Sequence, residues 1–323
     1  MLAMVVRRLA YSMVVVLVAS IGLFWFVHST TDPLARLRDA AADDPTILVR
    51  EEKRLGLDKP VATQYLTKMK GYLHGDFGDS IFNGRSVSSQ IQTAIWNSTQ
   101  IIAWTVVLAG LMAVAIGVYG ALRQYSALDY TFTGISFLGL STPSFFLGLI
   151  FIQLFTYQVP RMLGMETPIF FSIGQHSYAG AGLVDYFRHL ALPVMVLTFH
   201  IVGRWSRFQR SSMLEVMSSD YIRTARAKGL PRRKVVIRHG LRNALIPLVV
   251  VMGVDIGNLF GGLVVTEAIF SWPGMGKLLS MSVLNGDTAV LLPWLLTAAA
   301  FTVVFNLAAD VTTGWLDPRI RMT

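Results

Sequence analysis

The sequence predicts an all-α integral membrane protein with six transmembrane helices, and three observations carry that prediction. The 323 residues are 53% hydrophobic and only 15% charged, against about 25% charged in a soluble domain, with a mean hydropathy of +0.53. Charge-free runs recur at lengths near the ~20 residues that span a bilayer as a helix. Between two of them lies a strongly basic stretch, residues 220–247, reading DYIRTARAKGLPRRKVVIRHGLRNALIP. The net charge of +9 then reflects lysines and arginines kept on the cytoplasmic side. The absence of cysteine excludes a disulfide framework, a thiol nucleophile and a thiolate metal site.

Arg7 and Arg8 precede a charge-free run of 19 residues, 9–27. A signal peptide would have about 7–15 apolar residues and a small-residue cleavage site. This run is longer and ends in Phe24, Trp25 and Phe26, so a retained first span is expected. Residues 29–95 are polar and read as an external cap segment. Within it, Asp44 and Pro45 start one short helix that Gly56 closes. Pro60 opens a second, ending near Tyr72, and Gly71, Gly75, Gly78 and Gly84 mark turns. Span 2 is expected at 99–122, and span 3 at 130–157 with a bend at Pro143. Residues 158–187 form a second external segment rich in glycine and aromatics.

Span 4 is confined by charge. Only 15 residues separate Arg188 from Arg204, about 22 Å of helix against a ~30 Å core. Arg204 and Arg207 are therefore expected at the inner boundary, snorkelling outward, with the helix continuing past Arg210. Span 5 runs over 243–266 and is interrupted by Asp255. A third external loop holds residues 270–274, and span 6 occupies the 22 charge-free residues 288–309. The tail carries Arg319 and Arg321. Six spans put both termini on one side. The loop 204–242 holds 11 of the 28 lysines and arginines, which sets an N-in, C-in orientation. The expected organisation is a cytoplasmic N-terminus and first span (1–28), the external cap (29–95) and a core (96–323) that includes the cytoplasmic loop 204–242.

The basic stretch parses as helix, break, helix. Ser219 and Asp220 suit an N-cap. Tyr221 to Lys228 has no breaker and carries its cations late, where they complement a helix C-terminus. Gly229 suits the left-handed position that closes a helix, and Pro231 the first turn of a second one. Tyr221, Ala225 and Lys228 share a face at i, i+4, i+7 spacing, and Ala225 and Ala227 keep the helix slim enough to enter a groove.

The residues from Tyr221 to Gly229, YIRTARAKG, resemble the coupling motif of ABC-importer permease subunits of the dipeptide and oligopeptide branch. Arg223-Thr224-Ala225 stands where other branches have Glu-Ala-Ala, with Gly229 at the family's offset. LGLDKP at 55–60, Gln64-Tyr65, GDFG at 75–78, RHLALP at 188–193, Thr266-Glu267 and FSWPGMG at 270–276 are similar to that branch in the same order. The resemblance spans nearly the whole chain. It implies a type I ABC-importer permease fold in a bacterial cell membrane, half of a pore completed by a second permease subunit. It also implies two ATPase subunits, or one fused ATPase, that bind ATP and Mg, an external substrate-binding protein, and a peptide substrate. Tyr221, Arg223, Ala225, Arg226, Lys228 and Gly229 would form the ATPase-coupling surface. No cofactor in this chain and no nucleic-acid partner is implied.

Asp255 needs its own account, because a carboxylate near mid-membrane faces a cavity or a partner. It reads either as a pore-lining anion that meets the amine of a passing peptide or as an ion pair with the other permease. Glu267 reads as a gate at the outer mouth or, in preference, as a structural cap. Gly253, Gly257 and Gly261, four residues apart, favour close helix packing over a flexible gate. Gly274-Met275-Gly276-Lys277 is not a phosphate-binding loop, since its first glycine is missing and Leu278 replaces the Ser or Thr that would meet Mg²⁺. No HExxH or GxSxG motif occurs, so no catalytic or metal residue is assigned and a membrane hydrolase finds no support. An ATP-independent channel or secondary transporter remains the alternative. Against it stands the lack of a visible inverted repeat of broken helices.

Overall fold

The computed structural model describes residues 2–32, 34, 38 and 46–316. Among them the regular structure is helical apart from one isolated bridge, Asp79 to Ser86. Six helices are long and apolar enough to cross a membrane. Helix α1 (Leu2–Thr30) leaves Val14, Val15, Val18 and Trp25 more than half exposed, which suits a lipid-facing helix. Arg8 ties it to Asp310 at 2.9 Å.

The first cap helix whose bounds are described is α2 (Thr46–Leu55); Asp44 and Pro45, the expected helix start, lie outside the described residues. The helix ends in a Schellman pair, Leu57 N–H to Glu52 O at 2.9 Å and Gly56 N–H to Lys53 O at 3.1 Å. Helix α3 (Val61–Leu73) lies on α1 through a Ser20–Tyr65 hydroxyl bond of 2.7 Å and an edge contact between Phe24 and Tyr65. Lys68 sits over the Phe24 ring, and burial there lowers its pKa from the ordinary lysine value.

Helix α4 (Val87–Leu122) starts well before the expected residue 99, so the boundary at 95/96 falls inside a helix. Its 36 residues extend about 54 Å at 1.5 Å per residue, beyond the hydrocarbon core. The early turns are polar because cap backbone covers them: Ser88 donates to Gly75 O at 2.8 Å and accepts from Phe77 N–H at 3.2 Å.

The expected third span is broken, not bent. Helix α5 (Ala127–Ser141) stops at Thr142, and α6 (Ser144–Phe151) resumes after Pro143, widening into a π segment (Ile152–Gln158) before Val159–Met162. Thr142 and Pro143 are extended, with ψ of 126 and 139°. The proline lacks an N–H, and its ring disfavours helical backbone at the residue before it.

Helix α7 (Leu183–Ser218) is the axis of the bundle, with Leu192, Val196, Trp205 and Met213 fully buried and α4, α5, α6 and α9 packed around it. Its approach to α5 requires a glycine: a Cβ on Gly203 would lie 2.6 Å from the Ser136 carbonyl oxygen. Backbone cannot rotate away, so Gly203→Val is expected to cost at least the ~1–3 kcal/mol of core overpacking. A lowered melting temperature and lower yield of the detergent-solubilised protein would report it.

Helix α8 (Asp220–Ala227) leads through one turn (Arg232–Lys234) and a second π segment (Val235–Leu241) into α9 (Arg242–Ile269). Helices α10 (Met275–Leu284) and α11 (Thr288–Leu316) complete the described chain; Arg319 and Arg321 lie outside it. Helix α9 packs on α11 within this chain, where Gly253 faces Ala309 and Gly257 faces Asn306 and Phe305. Gly261 is in the same helix, but its surroundings lie outside the described residues. The end of the bundle carrying α8 is the basic end; the opposite one is the cap end.

Candidate functional site

Three groups of residues stand out, one at each end of the bundle and one between. At the basic end, α8 follows extended Ser219, whose hydroxyl bonds backward to Val216 O at 2.6 Å instead of capping α8. The helix closes with Gly229 N–H on Arg226 O at 2.9 Å. Gly229 has φ +73°, and no atom lies within 4 Å of where its Cβ would be. Its requirement is thus conformational and not spatial. Pro231 stands at the N-cap of the following turn, one position earlier than expected.

The lower face of α8 is apolar. Ile222 and Ala225 are buried against Val235, with Val216, Met217 and Leu230 around them. This corrects the expected docking face: Ala225 is 7% exposed and covered by its own chain, so it does not share the free surface of Tyr221 and Lys228. In so short a helix the i, i+3 pair Ile222 and Ala225 forms the whole buried stripe, leaving Tyr221 and Lys228 on its flanks. Tyr221, Arg223, Arg226, Lys228 and Gly229 are exposed, as are Arg232, Arg233, Lys234, Arg238 and Arg242. Asn243 fixes the Tyr221 hydroxyl at 3.0 Å.

Between the ends, Asp255 faces its own chain. One carboxylate oxygen accepts from Arg204 Nη1 at 3.0 Å and the other from Trp205 Nε1 at 2.8 Å. The expected partner on a second permease is therefore replaced by Arg204. With both oxygens engaged and its side chain 11% exposed, Asp255 is not a free anion for a passing amine. Arg204 pairs with this carboxylate while leaving 52% of its side chain exposed, and Arg207 stacks on Phe137 at 4.8 Å. Arg210 in turn pairs with Asp129 at 3.0 Å. A cavity of about 410 Å³, lined by Leu140, Ser144, His200, Arg204, Asp255 and Asn258, opens on the Arg204–Asp255 pair.

At the cap end, Glu267 is fully buried. It accepts from Ser98 Oγ at 2.5 Å, Gly276 N–H at 2.7 Å and Lys277 N–H at 3.3 Å. The carboxylate thus caps the first turn of α10, where unpaired N–H groups favour an anion. Gly276 allows it, because a Cβ there would lie 2.3 Å from Val264 Cα. Trp272 Nε1 donates to Asn97 O at 3.0 Å, Asn97 Nδ2 to Pro273 O at 2.8 Å, and Trp294 Nε1 to Met275 O at 2.7 Å. Glu267 therefore joins α4, α9 and α10 in one polar knot. Ser80 and Ile81 of the cap bind Asp287 in the α10–α11 turn, so the cap is anchored to the same end.

Sequence reasoning missed Trp205, Asn97, Ser98, Asp129 and Asp287. The one available signal was the placement of Asp129 and Asp287 just before or within the first turn of a helix, where acidic residues are favoured. Nothing in the local pattern identifies a partner 50 residues away. No group of three metal-ligating side chains occurs among the described residues.

Comparison with known proteins agrees with this architecture. The chain is 36% identical over 327 residues to the oligopeptide transport system permease protein AppB of Bacillus subtilis (strain 168), covering 99% of this chain and 100% of that one. It is 33% identical over 321 residues to the glutathione transport system permease protein GsiC of Salmonella choleraesuis, covering 99% of each. It is 32% identical over 336 residues to the dipeptide transport system permease protein DppB of Escherichia coli (strain K12), again 99% of each. Residues 1–94 match the family described as "Binding-prot-dependent transport system membrane comp, N-term". Since residues 113–322 match the second description as well, the chain belongs to the family "Binding-protein-dependent transport system inner membrane component".

Proposed function

We propose that this chain is the permease subunit of an ATP-driven peptide importer, forming half of a translocation pore with a second permease subunit. The observation that carries the reading is α8. Its apolar underside locks it to Val235, while Tyr221, Arg223, Arg226 and Lys228 project from the bundle. A short helix seated this way moves with the start of α9 and offers cations to an acidic groove. In this reading the basic end is cytoplasmic, both termini are inside, and the protein is a multi-pass component of a bacterial cell membrane. Two ATPase subunits, or one fused ATPase, hold ATP and Mg, and an external binding protein delivers peptide at the cap end. Ala225 supports the lever from below, and Gly229 sets its exit angle. This chain contributes no catalytic group; hydrolysis belongs to the ATPases. The relatives are named for oligopeptides, glutathione and dipeptides, and peptide is the substrate class proposed.

A pull-down of the tagged chain from its own membrane in mild detergent tests the proposal. Recovery of a second permease and ATPases, with hydrolysis rising when binding protein and peptide are added, is the expected result. Peptide crossing liposomes that contain this chain alone would replace it with a channel or secondary carrier.

A further inference from the structure

The Arg204–Asp255 pair differs from the other interhelical ion pairs in where it stands. Asp255 is near the middle of α9 (Arg242–Ile269), and each end of that helix is about 20 Å away at 1.5 Å per residue. Arg204 nevertheless leaves 52% of its side chain exposed, whereas Arg210, paired to Asp129, leaves 33%. A half-exposed guanidinium at such depth is stable facing water or a polar partner, not lipid. The helix break points the same way. Ser144, the first residue after the extended Thr142–Pro143 step, lines the same cavity, and irregular backbone at membrane depth persists where it is buried in protein or borders water.

The pair is also asymmetric. Asp255 has both oxygens occupied, by Arg204 and Trp205. Arg204 has five N–H donors in a planar fork; among the described residues its side chain has one partner, through Nη1. Arg204 borders the cavity, where His200, Asn258 and Ser144 are the other polar groups among walls that also include Leu140, Leu197, Ile201 and Leu259. His200 donates Nδ1–H to Gly139 O at 3.1 Å, so Nε2 of the neutral ring is an acceptor, and donors to an anion come from Arg204, Ser144 and Asn258. The chemistry on offer is donation of hydrogen bonds to an anion, and Asp255 behind the guanidinium keeps the site near neutral. A bound carboxylate is therefore held and released instead of trapped.

We propose that Arg204 forms a subsite of the translocation path that receives the C-terminal carboxylate of a peptide in transit, with Asp255 as the residue that positions it. The proposal rests on the importer reading above. Its test uses the complete complex, purified from its own membrane and reconstituted in liposomes. Uptake of trialanine is compared with uptake of its C-terminal amide, each rate corrected for the external binding protein's measured affinity. A charge-assisted bond lost to the amide should slow uptake by about tenfold or more. In the double variant Arg204→Gln with Asp255→Asn, which removes both charges together, that preference should fall to within about twofold through slower trialanine uptake alone. Equal corrected rates in the unmodified complex would overturn the proposal without any variant. So would a double variant that slows both substrates alike, because the pair would then be structural only. If the double variant fails to assemble, Arg204→Lys replaces it: a point charge without the planar fork should weaken the preference for the free carboxylate, and an undiminished preference at normal membrane levels counts against the subsite. Absence of ATP-dependent trialanine uptake by the unmodified complex would reject the importer reading itself.

Discussion

Replacing Gly229 by Val is expected to reduce ATP-driven peptide uptake by about tenfold or more while leaving the amount of protein in the membrane unchanged. Gly229 has φ +73° with open space where a Cβ would go, so the substitution meets no clash. What changes is the backbone preference. Left-handed backbone costs an L-residue roughly 1–2 kcal/mol, and a β-branched one more. A shift of about 1.4 kcal/mol is a tenfold change in the balance between two geometries. The strain falls at the exit of α8, between a helix anchored by Ile222 and Ala225 and the turn that enters α9. The bundle above it is untouched, so insertion survives and coupling does not. Gly229→Asn is the companion variant, because asparagine tolerates the left-handed region far better and should keep most of the transport. Uptake by reconstituted complex, set against ATPase rate, separates the two. Normal uptake by the valine variant at wild-type membrane levels would remove the lever from the mechanism.

The second large effect is expected at the opposite end. Glu267→Ala leaves the Ser98 hydroxyl and the Gly276 and Lys277 N–H groups without their acceptor in a fully buried site. Each orphaned donor costs roughly 1–3 kcal/mol, and three of them together rival the whole stability of an ordinary domain. The variant should yield little monodisperse protein in detergent, with a sharply lower melting temperature. A variant that purified normally, and failed only in transport, would instead make Glu267 a gate. Ser98→Ala is the milder control: it removes one donor together with the hydroxyl that accepts from Met275 N–H at 2.8 Å.

The spans were legible because lipid imposes a simple rule, a run of about 20 residues without charge, and four of the six could be read from it directly, span 5 being interrupted by Asp255. Span 4 required an argument about arginines, and that argument did not supply their partners. The rule knows that a charge in a span needs an answer but not that Asp255, 51 residues on, supplies it. Pro143 was visible as an irregularity, yet a bend and a break have the same sequence. The early turns of α4 were missed for the converse reason: Ser88 and Gln90 look like loop until their bonds to cap residues Gly75, Phe77, Asn83 and Arg85 are seen. In the basic loop, helix, closing glycine and second helix were all legible from caps and breakers. Which side of α8 faces inward was not, since periodicity gives a stripe and only packing gives it a direction. Glu267 could be read as a structural cap, but its three partners are a property of the folded loop.

The Arg204–Asp255 pair also constrains how the protein is made. Chains enter the bilayer in order of synthesis, and Arg204 arrives with α7 while Asp255 follows 51 residues later. Until then the arginine has no counter-ion in its own bundle, a penalty of roughly 2.5–3.5 kcal/mol at a helix centre. Asp129 waits longer still, 81 residues, for Arg210. Helices α5 and α7 are thus delivered to the membrane as incomplete electrostatic halves, and α9 discharges the last of them. A ribosome-bound nascent chain truncated before residue 255 would hold α7 less firmly than one truncated after it, so biogenesis has a commitment point written into the spacing of two charges.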